Sequence, residues 1–262
     1  MDQSHKSIFS DESLTPPKPH ILRSPHPAPT PVADPQSKRK FDIHYLDRSG
    51  HLCEQTLLAA THPAFEQAFC VLKQGCLLQT DHGPVTVEEI LPGDRVRMGD
   101  GSTEVVQWRG STTISPFDLP ANAPSLVMTR ITADALGYNR PSPDLVLGHG
   151  ARILHRAPGI RRVGGTDAAF IPAADFVDGN HLLSLRATSP MTMYQFGFHG
   201  QRCLSVNGVP IETLHPGTAF NLGLRGDSLR AYLALFPHKS SFEDFGLLHV
   251  PRLRLRDLEL LV

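Results

Sequence analysis

Two thiols, Cys70 and Cys76, are the side chains best suited to covalent chemistry in this 262-residue chain. The thiolate is the reactive form, and a free thiol with a pKa of about 8.5 is only slightly ionised at neutral pH. A nucleophilic cysteine therefore needs a nearby group that handles protons. His149 is a candidate donor and His155 lies close to it in sequence. Cys53 and Cys203 complete the four cysteines, and no two form a C-x-x-C pair, so a zinc knuckle is not expected. The 14 histidines include no H-E-x-x-H pattern, and neither a metal nor a cofactor is expected. In a chain this long, four cysteines do not make a disulfide framework, and reduced thiols are the expectation. Glu88 and Asp94 are close in sequence, but such carboxylates commonly cap turns. Ser205 and His215 do not fall in a G-x-S-x-G elbow. "GDGSTE" has too few carboxylates for a calcium loop, and no phosphate-binding loop is present.

What surrounds the thiols decides between two readings of each. Cys70 lies in "HPAFEQAFCVLKQG", where Phe65, Phe69 and Leu72 recur at i, i+4 and i+7. That spacing predicts an amphipathic helix ending at Gly75. In a helix interior the backbone groups are already paired, which suits a small apolar packing residue better than an attacking thiol. Cys76 follows a glycine at the mouth of a strand. It is either open to attack geometry or a core residue at the start of that strand. His149 and His155 read either as proton-handling groups or as ordinary loop and strand histidines.

The elements that would hold these residues are mostly short strands. "FDIHYLDRSGHLCEQTLLA" alternates apolar and polar residues about a turn at Arg48-Ser49-Gly50, which predicts a β-hairpin. "LPGD" is a turn between Val87-Glu88-Glu89-Ile90 and "RVRM". "RVRM" and "TEVVQWRGSTTI" read as two strands across the glycine turn "GDGS", "DLVLGHGARILH" reads as a β stretch around a glycine pair and "MTMYQFGFHGQRCLSVNGVPIETLHPG" as strand, turn, strand, with Asn207-Gly208 a second hairpin signal. "GDSLRAYLALF" is helical and "RLRLRDLELLV" reads as a closing strand. Many short strands with glycine and proline turns make a mainly β fold with minor helices.

Hydrophobic residues make up 40% of the chain, enough for an ordinary core, and the net charge of −1 comes with no basic stripe. Nucleic-acid binding is therefore not expected, and a protein partner remains open. No stretch is apolar for long enough to span a bilayer, and no basic start leads into an apolar run. No membrane association is expected, and the expected compartment is the cytoplasm. Residues 1–40 hold eight of the 23 prolines and read as a disordered arm. The remaining divisions are a small β unit at 41–65, a main domain at 66–217 and an α/β extension at 218–262.

The order of turns after Gly75 resembles the Hint (Hedgehog/intein) domain, especially of bacterial Hint-domain proteins. The resemblance is carried by Gly75-Cys76-Leu77-Leu78-Gln79-Thr80-Asp81-His82-Gly83 and by Val87-Glu88-Glu89-Ile90-Leu91-Pro92-Gly93-Asp94-Arg95-Val96. It continues through Trp108-Arg109-Gly110, Asp144-Leu145-Val146-Leu147 and Pro172-Ala173-Ala174-Asp175-Phe176-Val177. It ends with Asn207-Gly208, Glu212-Thr213 and Pro216-Gly217. It covers roughly residues 66–217 and implies a horseshoe-like Hint fold of short strands.

The resemblance also implies a chemistry, self-cleavage or splicing through a thioester. A cysteine at the start of the domain attacks the preceding carbonyl, while a Thr-x-x-His or Ser-x-x-His motif protonates the amide nitrogen and stabilises the oxyanion. Such a protein is at most self-processing, with no external substrate turned over. The family's first cysteine falls near Cys70, and Cys76 takes the place of a threonine. The motif's hydroxyl residue falls on Gly148 and its histidine on Ala151, neither of which carries a proton-handling side chain. A later family histidine falls near Gln195 or Phe196. The expectation is a domain degenerate for autoprocessing that serves as a β scaffold or binding module. The alternative is cleavage through Cys70 or Cys76, with His149 as a substitute donor.

Overall fold

The computed structural model describes residues 38–259. The proline-rich arm expected over residues 1–40 lies outside them, except for its last three residues, which belong to a strand. The chain opens with β1 (Lys38–Leu46) and β2 (Leu52–Ala60), then α1 (Pro63–Phe69) and β3 (Leu72–Lys73). It continues with β4 (Leu77–Thr80), β5 (Gly83–Thr86), β6 (Arg95–Arg97), β7 (Thr103–Val105), β8 (Trp108–Ile114) and β9 (Val127–Ile131). Then come β10 (Leu145–Gly148), β11 (Arg152–Arg156), α2 (Ile160–Gly164), β12 (Ala168–Pro172) and β13 (Leu182–Arg186). The last strands are β14 (Met191–Gly197), β15 (Cys203–Val206) and β16 (Val209–Glu212). Helices α3 (Ala219–Leu222), α4 (Gly226–Leu233) and α5 (Leu255–Glu259) close the described chain. None of the described helices is long and apolar enough to cross a membrane.

The strands form two antiparallel sheets, so the fold is mainly β as expected. One runs in the order β13-β9-β10-β3-β14-β8-β1-β2. The other runs β12-β11-β16-β15-β4-β6-β7, with β5 beside β4. Several runs that read as single units in the sequence pass from one sheet to the other. "TEVVQWRGSTTI" splits into β7 and β8, and "DLVLGHGARILH" splits into β10 and β11 at its glycines. The segment Gly148–Ala151 is thus a crossing point between sheets.

Two elements differ from expectation. The helix ends at Phe69 and not at Gly75, because Leu72 pairs with Leu147 of β10 and with Tyr194 of β14. Tertiary strand pairing overrides the helical spacing that Leu72 completes. "RLRLRDLELLV" ends in helix α5, and its only ladder contact among the described residues is a parallel bridge from Arg252 to Phe170. Leu253, Leu255 and Leu258 pack instead against Ile160, Ala169 and Ile171.

Trp108 is fully buried, and its indole N–H donates to the Leu235 carbonyl at 3.0 Å. The Trp-x-Gly spacing has a packing reason. A Cβ on Gly110 would lie 2.2 Å from the Trp108 ring and 2.4 Å from the Phe69 ring. The bare glycine lets Phe69 meet Trp108 edge-on at 5.3 Å, and this fixes the C-terminal end of α1. Phe41, Phe65, Tyr232 and Phe236 complete an aromatic core shared by the first hairpin, α1 and α4.

Candidate functional site

Cys70 caps α1 with φ −87° and ψ 67°, the geometry of an inverse γ-turn. The Val71 N–H donates to the Phe69 carbonyl at 3.0 Å, and the Cys70 N–H donates to the Glu66 carbonyl at 2.8 Å. The Phe69–Cys70 peptide, which a nucleophilic Cys70 would have to break, is therefore hydrogen-bonded at both its oxygen and its nitrogen. The side chain is fully buried among Ile114, Leu126, Met128 and Met193. Burial pushes this thiol well above its ordinary range, Glu66 adds to the effect and Arg39 opposes it.

The crossing segment after β10 runs directly alongside this turn. The Gly148 N–H donates to the Val71 carbonyl at 2.8 Å and the Gly150 N–H to the Cys70 carbonyl at 3.0 Å. The approach excludes side chains. A Cβ on Gly148 would lie 2.3 Å from the Cys70 oxygen and 2.6 Å from the Met193 methyl, and one on Gly150 would lie 2.5 Å from the Gln67 oxygen. Ala151, itself buried, donates its N–H back to the Gly148 carbonyl.

Residues 70–218 match the family described as Hint domain, and that span is more than half of the chain. The chain belongs to the Hint domain family. No curated protein matches it. The family match begins at Cys70 itself and includes the segment 148–151, which the resemblance compares with the hydroxyl-x-x-histidine motif. The Hint fold brings these two parts of the chain together, but it does so backbone to backbone.

The other candidates lie in different settings. Cys76 follows Gly75 at the start of β4 and is 4% exposed. Its thiol donates to the Val146 carbonyl at 3.6 Å, and burial pushes it up to about 12. It packs in the main hydrophobic core, whereas Cys70 packs in a smaller cluster beside it. The His149 ring has an Nδ1 that is sealed from solvent without a hydrogen-bond partner. Burial, then Arg39 and Arg152, lowers its pKa to about 4, so the imidazole is neutral at pH 7. Neither thiol is hydrogen-bonded to a histidine among the described residues. The His155 ring packs against the Phe176 ring at a tilt of 55°, with centroids 5.4 Å apart. The carboxylates have backbone partners: Glu88 accepts from the Gly75 N–H at 3.0 Å and Asp94 accepts from the Leu91 N–H at 2.8 Å.

Glu212, from the Glu212-Thr213 segment of the resemblance, and Gln195 belong to a polar cluster that sequence spacing does not reveal. Glu212, 4% exposed, accepts from the Arg252 Nε at 3.0 Å and from the Gln201 amide at 2.6 Å. Gln195 stands in β14, 5% exposed, next to Phe196, and the resemblance puts a later family histidine near one or other of these two residues. The only sequence signal for the cluster was charge inside otherwise apolar strands.

Proposed function

We propose that this Hint domain does not process itself efficiently and serves as a β scaffold for binding. The observation that carries this reading is the contact of Gly148 with the Cys70 carbonyl. The motif's hydroxyl would have to enter there, and the backbone leaves it no room. The buried thiol and the two hydrogen bonds on the Phe69–Cys70 peptide support the same reading. Without a side-chain donor for the amide nitrogen, attack on an amide is slow, since that nitrogen is a poor leaving group until it is protonated.

A second reading is self-cleavage at Cys70. It is favoured by the family match starting at that residue and by its place in a γ-turn outside the helix. The Cys70 sulfur would bond to the Phe69 carbonyl carbon, the carbon–nitrogen bond would break, and the released Cys70 amine would gain a proton. Cys76 would act in the same way on the Gly75 carbonyl. Hydroxylamine or a thiol then captures the acyl group. Intact mass of the purified chain, incubated with and without dithiothreitol or hydroxylamine, separates the readings. A chain that stays whole is the expected result. Fragments ending at Phe69 or Gly75 that vanish in Cys70→Ala or Cys76→Ala would overturn the scaffold reading.

A further inference from the structure

Below α1, where β11 and β16 of one sheet meet β14 of the other, lies a cavity of about 200 Å³. Its lining includes Gln67, Arg152, Gln195, Glu212, His215 and Arg252. Three of these are already committed. Arg252 donates from Nε to both Glu212 oxygens at 3.0 Å and from a terminal nitrogen to the His215 carbonyl at 2.6 Å. Glu212 takes the Gln201 amide as well, so its carboxylate is well supplied with donors. The His215 Nδ1 accepts from the Gly217 N–H at 3.0 Å, which leaves Nε2 to donate to the Gly246 carbonyl at 3.2 Å. That pattern describes a neutral imidazole.

Arg152 is different. Its side chain is 20% exposed, and its closest charge contact is one Glu212 oxygen at 3.8 Å. Its guanidinium makes no hydrogen bond to any other described residue. Two guanidiniums thus face one carboxylate, and the cavity holds a surplus positive charge. A guanidinium has five N–H donors, and burying it without acceptors is costly. Gln195 adds a second unused group. Its carbonyl oxygen accepts from the Phe196 N–H at 3.0 Å, which turns the amide nitrogen into a free donor at the cavity wall.

We propose that this cavity binds a small oxyanion, a carboxylate or phosphate group, through the Arg152 guanidinium and the Gln195 amide. A planar fork of N–H donors matches paired anionic oxygens, and the volume admits a group of a few heavy atoms. The site stands whether or not the Phe69–Cys70 bond is cleaved, because Cys70 does not line the cavity.

The test titrates the full-length chain with sodium acetate and, separately, methyl phosphate, against sodium chloride at constant ionic strength. The readouts are the melting temperature and the side-chain amide and guanidinium resonances. One of the two anions should shift both saturably, and chloride should not. Acetate alone identifies a carboxylate ligand, phosphate alone a phosphoryl ligand, and each supports the site. Arg152→Gln should weaken binding at least about tenfold. Gln195→Met, a volume-conserving change, should weaken it too and serves if the arginine variant fails to fold by circular dichroism. Arg97→Gln removes an exposed charge on β6, a residue that does not line the cavity, and should leave binding unchanged. No saturable response to either anion, or equal binding by Gln195→Met and the wild type, overturns the proposal.

Discussion

The α-carbon of Gly148 packs against the carbonyl of Cys70 so tightly that a Cβ there would sit 2.3 Å from the oxygen. The backbone of Cys70 thus fills the space that any side chain at position 148 would need. Gly148→Ser, which adds a hydroxyl where the proposed reading places the family's hydroxyl residue, should destabilise the protein by about 3 kcal/mol, the scale of overpacking against unyielding atoms. Urea denaturation measures it. A loss below about 0.5 kcal/mol would mean that the turn at Cys70 moves aside easily. The scaffold reading would then lose its geometric support. Intact mass of the same variant shows whether the added hydroxyl starts cleavage, and none is expected.

Thiol reactivity should follow burial. Cys70 and Cys76 are held inside apolar clusters with their pKa values raised, whereas Cys53 is only partly covered. Iodoacetamide at pH 7.5 should label Cys53 first and should reach Cys70 and Cys76 only through unfolding. Peptide mapping over a time course checks this. Labelling of Cys70 as fast as Cys53 would show an accessible thiolate and would revive the nucleophile reading.

The strands and turns were legible because their signals are local. The hairpin around Arg48-Ser49-Gly50, the Asn207-Gly208 turn and the Trp108-Arg109-Gly110 spacing each depend on residues that touch near neighbours. The end of α1 was not legible, because Leu72 completes a helical spacing and yet pairs with strands far along the chain. Cys70 consequently stands at a cap and not inside a helix, as its sequence context suggested. That Gly148 and Ala151 carry no proton-handling side chain was legible in the sequence, but the tightness of the contact with Cys70 was not. Arg152, Gln195, Glu212 and Arg252 come from four separated segments, and no spacing rule joins them.

Asn207 holds together more than its own hairpin. It adopts φ 49° and Gly208 adopts φ 84°, the two positive values of a type I′ turn. Its side chain also accepts from the Leu77 N–H at 2.7 Å and donates to the Pro143 carbonyl at 3.1 Å. It thereby ties the start of β4 and the approach to β10 to the β15–β16 turn. Asn207→Ala should cost about 3 kcal/mol, since it strands two partners and puts alanine at positive φ. Asn207→Asp keeps the acceptor and the backbone preference but loses the donor, and should cost about half as much. Equal losses in thermal or urea denaturation would show that the link to Pro143 carries most of the effect.

Acid should weaken the fold before most carboxylates titrate, and two histidines give the reason. His149 is lowered to about 4 and His238 to about 3, both chiefly by burial. Neither His238 ring nitrogen has a hydrogen-bond partner among the described residues. The unfolded chain takes up these protons near the ordinary histidine value of about 6.5, and the folded chain resists them until far lower pH. Their neutral forms therefore support the fold fully above about pH 6.5, and that support is lost as pH falls toward 4 for His149 and 3 for His238. Between pH 7 and pH 4 the loss is on the order of 3 kcal/mol for each. Urea midpoints between pH 7 and pH 4 should fall accordingly. His238→Leu removes one of these groups and should make that slope shallower, with His149 and the less strongly shifted His44, His62, His155 and His215 still contributing. At pH 7 it should leave stability equal or raise it by about 1 kcal/mol, because two sealed polar atoms are replaced by an apolar group of similar volume beside Trp108. An unchanged slope in His238→Leu would show that this ring finds a partner for its proton inside the fold.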